Sequence, residues 1–268
     1  MPELRRMRVL LGTYVEAGVH GPGAAVEAAI DAAFASITHS QSLWSFHDPD
    51  SELSRLNGAG GQAQSVSPAT LRLLGAARAM MRASGGAFDC TVGAMLVQRG
   101  ALPNHGDGPW IERGSADDIV IGTDWARLAR PVRLTLDGIA KGFAVDLALR
   151  AMRRAGATAG WVNAGGDMAV FGDLLLPVQR REDDGSFTRL GSLRASAMAS
   201  SRSGPADPDF PSHIIGPGDT TPAAGVWTVV ARSAWRADAL TKVAAAGRAS
   251  LLPALGGALV NPATESMP

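Results

Sequence analysis

The sequence predicts an α+β fold, one domain over residues 1–268 with mixed or antiparallel sheets and packed helices. Three observations carry this. Strand-like and helix-like segments follow one another without a regular βαβ repeat, which argues against a doubly wound parallel sheet. Two short apolar stretches, GWVN (160–163) and MAVF (168–171), flank a Gly-Gly turn as a hairpin would. GVWTVVARS (225–233), the clearest strand pattern, runs straight into a helical one.

Residues 8–17 (RVLLGTYVEA) read as an opening strand. Val26, Ala29, Ile30, Ala33, Phe34 and Ile37 recur at i, i+3, i+4 and i+7, which predicts a core-facing helix over 24–38. Ser67-Pro68 reads as an N-cap with Pro at N1, opening a helix to about Ala83 that Gly85-Gly86 ends. Residues 99–130 read as loop. VRLTL (132–136) alternates like a strand and leads through Asp137-Gly138 into a helix to Arg154, closed by Gly156. Residues 177–200 hold several short strands, and the last helix runs from about Trp235 to Ala246.

Composition narrows the function. Apolar residues are 46% and charged residues 19%, the balance of a soluble globular chain rather than a disordered one. Lys and Arg number 25 and Asp and Glu 25, so the chain lacks the overall basic charge of a nucleic-acid binder or a polybasic membrane anchor. The single cysteine, Cys90, excludes an internal disulfide and a Cys-clustered zinc site. The start, MPELRRMRVLLGTYVEAG, has no apolar core with a small-residue cleavage site, and no apolar run approaches the ~18 residues of a membrane span. The expected location is therefore cytoplasmic, or exported if the sequence is truncated.

Five segments depart from ordinary element chemistry. His47-Asp48-Pro49-Asp50-Ser51-Glu52, running to Asn57, is either a binding loop or a turn in which Asp50 or Ser51 caps a short helix. Lys141 sits between Gly138 and Gly142 where a strand enters a helix, an arrangement suited to an anion but also to a plain helix start. It is not a Walker loop, because the GxxxxGK[ST] spacing is absent. Asn163-Ala164-Gly165-Gly166-Asp167 allows close approach of a ligand, or simply makes a hairpin turn. His213, in Ser212-His213-Ile214-Ile215, is a general base or a structural histidine. Asp238 in the first turn of the last helix either complements the helix dipole or holds Mg²⁺ near substrate phosphates. These residues allow a phosphate-bearing ligand without naming it.

Taken together and in order, LGTYV (11–15), DPDSELSRLN (48–57), GGAFDCTVG (85–93), LDGIAKGFAVD (136–146), NAGGD (163–167), SHII (212–215) and ADALTK (237–242) resemble the ApbE family, the FAD:protein FMN transferases. The resemblance spans roughly residues 9–246. It implies an ApbE-like α+β domain that binds FAD and, with Mg²⁺, moves the FMN half onto a Thr or Ser hydroxyl of an acceptor protein, releasing AMP. Carried over residue by residue, Asn57, Asp89, Thr91, Lys141, Asn163, Gly165, Gly166, Asp167 and His213 are expected to line the flavin nucleotide. His213, Lys141 and Asp238 are expected to be catalytic. Asp238 is expected to hold Mg²⁺, with the backbone carbonyls of Ala140 and Thr241 as further ligands.

This chain departs from the family pattern at four positions. His47 stands where the family has Tyr or Phe, and Cys90 where it has Pro. Gly216-Pro217 replaces Asp-Pro after SHII, removing a carboxylate near the expected base. Lys242 stands four residues after Asp238, where the family has Thr or Ser. Residues i and i+4 share a helix face, so Lys242 is expected either to pair with Asp238 or to substitute in part for Mg²⁺. Alternatives to transfer are an FAD-binding protein impaired in catalysis, or a pyrophosphatase splitting FAD to FMN and AMP. Family members are often longer and usually exported, commonly as lipoproteins; as written this sequence shows no such leader, which implies a cytosolic acceptor or a truncated sequence.

Overall fold

The computed structural model describes residues 3–21, 23–182, 184–204, 214–218, 222 and 224–260. Strands β1 (Glu3–Leu10) and β2 (Thr13–His20) form an antiparallel hairpin. The expected single opening strand is therefore two. Leu11 and Gly12 both take positive φ (54° and 68°), the backbone of a tight two-residue hairpin turn, and Leu11 N–H donates to Gln41 Oε1 at 2.7 Å to hold it. Helix α1 (Gly23–Trp44) follows, then α2 (Glu52–Gly58), the short strand β3 (Gln64–Ser65), α3 (Pro68–Ala83) and α4 (Gly93–Gln98). The stretch read as loop contains two small strands, β4 (Ile119–Ile121) and β5 (Trp125–Leu128); β5 pairs with both β3 and β4 in a three-stranded sheet.

Residues 132–136 form no strand. Leu134 exchanges backbone hydrogen bonds with the Asn57 amide, Gly93 N–H donates to Arg133 O, and Thr135 N–H donates to Cys90 O. The segment's polar backbone is satisfied piecemeal, and its alternating Val132, Leu134 and Leu136 are fully buried. Helix α5 (Ala140–Arg154) leads to β6 (Ala159–Ala164) and β7 (Asp167–Phe171), then β8 (Leu176–Arg181), β9 (Phe187–Leu193), β10 (Ala197–Ser203) and β11 (Gly225–Ala231). Helix α6 (Ala234–Val243) ends three residues short of the expected boundary. It passes into a wider π-type turn over 244–248 that Gly247 closes at φ 74°. A last strand, β12 (Gly257–Leu259), completes the order.

The main sheet is antiparallel and seven-stranded, in the order β1-β2-β6-β7-β10-β11-β12. Its period-2 alternation sorts side chains to two faces. Val15, Ala17, Val19, Val162, Ala164 and Ala169 pack beneath α1 and α5, against Ile30, Phe34, Ile37, Ala148 and Met152. Trp161, Met168, Val170 and Met198 face the other way and are covered by Val178 and Leu193 of the β8–β9 hairpin. Each fully buried Ile or Phe of the α1 stripe contributes about 2 kcal/mol. A further core joins α2, α3, α4 and residues 126–139 to Phe143 and Ala144 of α5 and to Leu240 and Val243 of α6.

Helices α5 and α6 cap each other. Asp238 of α6 accepts the Gly142 N–H of the first turn of α5 at 3.1 Å. Asp146 of α5 accepts the Ala234 and Trp235 N–H groups that open α6, both at 3.0 Å. Each helix start thus meets a carboxylate from the other, satisfying donors that no intrahelical carbonyl reaches. The approach is close enough that a Cβ at Gly142 would lie 2.5 Å from the Ala234 carbonyl carbon and 2.7 Å from Trp235 N. Gly142→Ala is therefore expected to destabilise the protein by about 3 kcal/mol, read as a lowered urea midpoint, since the obstacle is backbone.

Candidate functional site

A cavity of about 620 Å³ opens beside the capped helix pair. Its lining comes from the β1–β2 turn, the end of α1, residues 87–92 and 135–141, Gly165, β10 and Lys242. Local chemistry shapes each piece. Ser51 caps α2 by accepting the Ser54 N–H and donates to Ser45 O, drawing the 45–50 turn back toward α1. The Trp44 ring is fixed by its N–H donating to Thr70 Oγ1 at 2.8 Å and by edge-on contact with Phe143. His105 Nε2–H donates to Phe46 O at 2.6 Å. Trp44, Phe46 and Phe88 bring aromatic surface to the wall, and His47 an imidazole.

The Gly165-Gly166 turn takes positive φ (63° and 104°), and a Cβ at Gly165 would lie 2.5 Å from Thr13 Oγ1. The β6–β7 and β1–β2 turns therefore touch, as only a glycine permits. Asn163 accepts the Gly166 N–H at 2.9 Å and holds the turn.

Four charged groups form the polar floor. Lys141 Nζ lies 3.3 Å from Asp167 Oδ2, and Lys242 pairs with Asp238 on the next turn of α6. Both carboxylates are buried. Lys141 keeps 36% of its side-chain surface accessible, reached through the cavity that it lines. The Asp167 carboxylate beside it raises the Lys141 pKa, so the ammonium stays charged. Asp167 itself is pushed up to about 6, first by burial and then by the negative charge of Asp238. Its approach to Lys141 is off-line for a hydrogen bond, and neither carboxylate oxygen accepts one among the described residues.

The donor directions around Lys242 follow from chemistry. An ammonium only donates, so Lys242 donates to Ser201 Oγ at 2.9 Å. Thr241 Oγ1 donates to Asp238 O at 2.7 Å, which makes Ser201 the donor in its 2.7 Å bond to Thr241. The Asp238 oxygens are thus engaged by Lys242 and by Gly142 N–H, and the Thr241 carbonyl accepts from Ala244 N–H. Among the described residues no three His, Cys, Asp or Glu side chains gather as a metal site. As they stand, these residues do not fit Mg²⁺ on Asp238 with the Ala140 and Thr241 carbonyls, because an ammonium already holds the carboxylate oxygen that would face the ion.

The expected site residues divide. Lys141, Asp89, Gly165 and Ala140 line the cavity. Asp167 and Asp238 lie beneath it, and Gly166 and Asn163 build its turn. Asn57 does not line it, because both ends of its amide are spent on Leu134. Thr91 is fully buried behind Asp89, donating its hydroxyl to Oδ1 at 2.6 Å and accepting the Gly114 N–H. His213 lies outside the described residues, while Ile214 and Ile215 beside it in sequence line the cavity. Sequence reasoning passed over Arg113, which donates to Asp89 Oδ2 at 2.9 Å and to Gly216 O at 2.6 Å, tying Gly216 to the site. It also passed over Thr13, Ser200 and Ser201, small hydroxyls without a motif around them.

Asp167 binds its proton more tightly in the folded chain than at the ordinary value of 3.8. Its contribution therefore favours folding at low pH and is lost as pH rises through about 6. Urea midpoints measured across that window are expected to fall for the native chain and to fall less for Asp167→Asn; equal slopes would show that Asp167 does not titrate there.

The ApbE family profile matches residues 11–252. Over 190 residues the chain is 32% identical to an FAD:protein FMN transferase of Rhodobacter capsulatus, covering 64% of this chain and 35% of that protein. The chain thus spans about a third of the length of that curated relative. The fold is similar to the apo form of the flavinyl transferase ApbE of Pseudomonas stutzeri, with a TM-score of 0.80 at 18% identity over 97% of this chain and 94% of that one. It is also similar to the ApbE protein of Thermotoga maritima, with a TM-score of 0.77 at 23% identity over 96% and 93% of the two chains. At these identities the structural likeness is one of fold. With the family profile running through nearly every cavity-forming segment, the chain belongs to the ApbE family.

Proposed function

We propose that the chain transfers the FMN half of FAD to a Thr or Ser hydroxyl of an acceptor protein and releases AMP. The observation that carries this is one cavity walled by both aromatic rings and ammonium groups, the two surfaces a flavin nucleotide requires. Isoalloxazine has an apolar face to stack, and a pyrophosphate has charge to neutralise. Family membership and the R. capsulatus relative's name support the same reading.

The chemistry is a displacement at phosphorus. The acceptor oxygen forms a bond to the FMN phosphorus, and the bond from that phosphorus to the bridging oxygen breaks. AMP leaves with that oxygen. The hydroxyl proton passes to a base, for which His213 is the family's matching residue. Lys141 serves as the ammonium at the phosphates, where negative charge grows on the leaving group. Asp167, short of donors among the described residues, is suited to accept from ligand hydroxyl or amide groups. Arg113 and Thr91 position Asp89 at the wall. The magnesium implied by the resemblance enters no step here, because Asp238 already carries Lys242.

The test is to incubate the purified chain with FAD and a candidate acceptor from the same genome, then weigh the acceptor by intact mass spectrometry while assaying AMP. An acceptor heavier by one FMN, with matching AMP, is the expected result. Bound FAD with neither product, beside a relative that modifies the same acceptor, would favour an FAD-binding protein impaired in catalysis. Lys141→Met is expected to lower transfer about a hundredfold. His213→Ala is expected to slow transfer yet leave quenching of flavin fluorescence intact; loss of quenching instead would make His213 a ligand-holding residue.

A further inference from the structure

We propose that Lys242 is a tethered cation that takes the place of a divalent metal, so that this chain binds the pyrophosphate of FAD without one. The inference rests on the flavin reading of the cavity. Asp238 is fully buried, and Lys242 stands on the same face of α6 one turn later with 16% of its side chain exposed. The ammonium is held by Asp238 Oδ1 and Ser201 Oγ, and an ammonium has three N–H donors. Two are spent on protein, and among the described residues the third has no protein acceptor. Lys242 also lines the cavity, as Lys141 does. Each of the two buried carboxylates, Asp167 and Asp238, thus has an ammonium group beside it without any added ion.

A divalent ion on Asp238 would have to displace Lys242 and then share the pocket with its positive charge, which repels it. It would also compete for the Asp238 carboxylate with the Gly142 N–H that Asp238 caps. The Lys242–Ser201–Thr241 chain reinforces the present arrangement, because each hydroxyl donates onward and ends at Asp238 O. Lys242 is thus a binding residue for the phosphates, with Ser201 and Thr241 positioning it.

The experiment compares FAD affinity, by fluorescence quenching, in EDTA and in excess MgCl₂, for the native chain and for Lys242→Thr. Uptake of Mn²⁺ is followed by electron paramagnetic resonance, with and without flavin. The native chain is expected to bind FAD equally in both buffers and to take up no Mn²⁺. Lys242→Thr is expected to lose about tenfold in FAD affinity in EDTA, to regain it with MgCl₂, and to take up one Mn²⁺ per chain. A native chain that loses about tenfold or more in EDTA, or takes up one Mn²⁺, would overturn the proposal. The native arms decide this even where Lys242→Thr fails to fold through its unpaired Asp238. Absence of FAD binding in every buffer would instead sink the flavin reading, and the flavin-free Mn²⁺ arm would still decide whether Lys242 excludes the ion.

Discussion

The site depends first on the mutual capping of α5 and α6. Two helix starts are brought together so closely that Gly142 has no room for a Cβ. Unsatisfied N–H groups at such a junction are expensive, and two helix dipoles presenting their positive ends repel unless negative charge intervenes. Asp238 and Asp146 supply that charge from opposite partners. Once the pair is locked, the positions of Lys141 in the first turn of α5 and Lys242 in the last turn of α6 follow. Both ammonium groups reach the same cavity because both helices share one junction.

Burying charge is the cost of this arrangement. Asp167 and Asp238 are taken out of water, and removing either partner of such a pair leaves a charge that costs about 3–5 kcal/mol. The four groups sum to zero charge, yet among the described residues Asp167 is left short of hydrogen-bond donors. Two buried carboxylates, one of them without a hydrogen-bond donor among the described residues, beside two cavity-facing ammonium groups make a poor stabiliser and a prepared receptor. That combination is a common mark of a binding site, where satisfaction is completed by the ligand.

Around this floor the rest of the molecule supplies shape. The seven-stranded sheet carries the β1–β2 and β6–β7 turns to one place, where Thr13 and Gly165 touch. The stretch between α3 and α4 supplies Phe88 and Asp89, the end of α1 supplies Trp44, and the turn after it supplies Phe46. Arg113 links Asp89 to the carbonyl of Gly216, so Gly216 is tied into the site through its backbone. Membership of the ApbE family accounts for the cavity. Lys242 adds a second ammonium group to its wall.

Local features were legible in the chain itself. The bounds of α3 follow from Ser67 and Pro68, since N-cap chemistry acts over three residues. The Asp238–Lys242 pair follows from helical spacing alone. The β6–β7 hairpin follows from paired glycines between apolar runs, and the family from motifs kept in order. Tertiary structure decided what depends on distant partners. The opening stretch looked like one strand because Leu11-Gly12 is a weak turn signal until Gln41 holds it. Residues 132–136 alternate correctly, but Asn57, 77 positions away, takes the hydrogen bonds a strand would need, which also removes Asn57 from the cavity wall. The caps that fix the site join residues 96 and 88 positions apart, and the Arg113 bond to Gly216 spans 103. Periodicity and capping preferences are short-range forces written in neighbouring residues. Which carboxylate satisfies which helix start is settled only when the chain packs, because the energy lies in the meeting of the two.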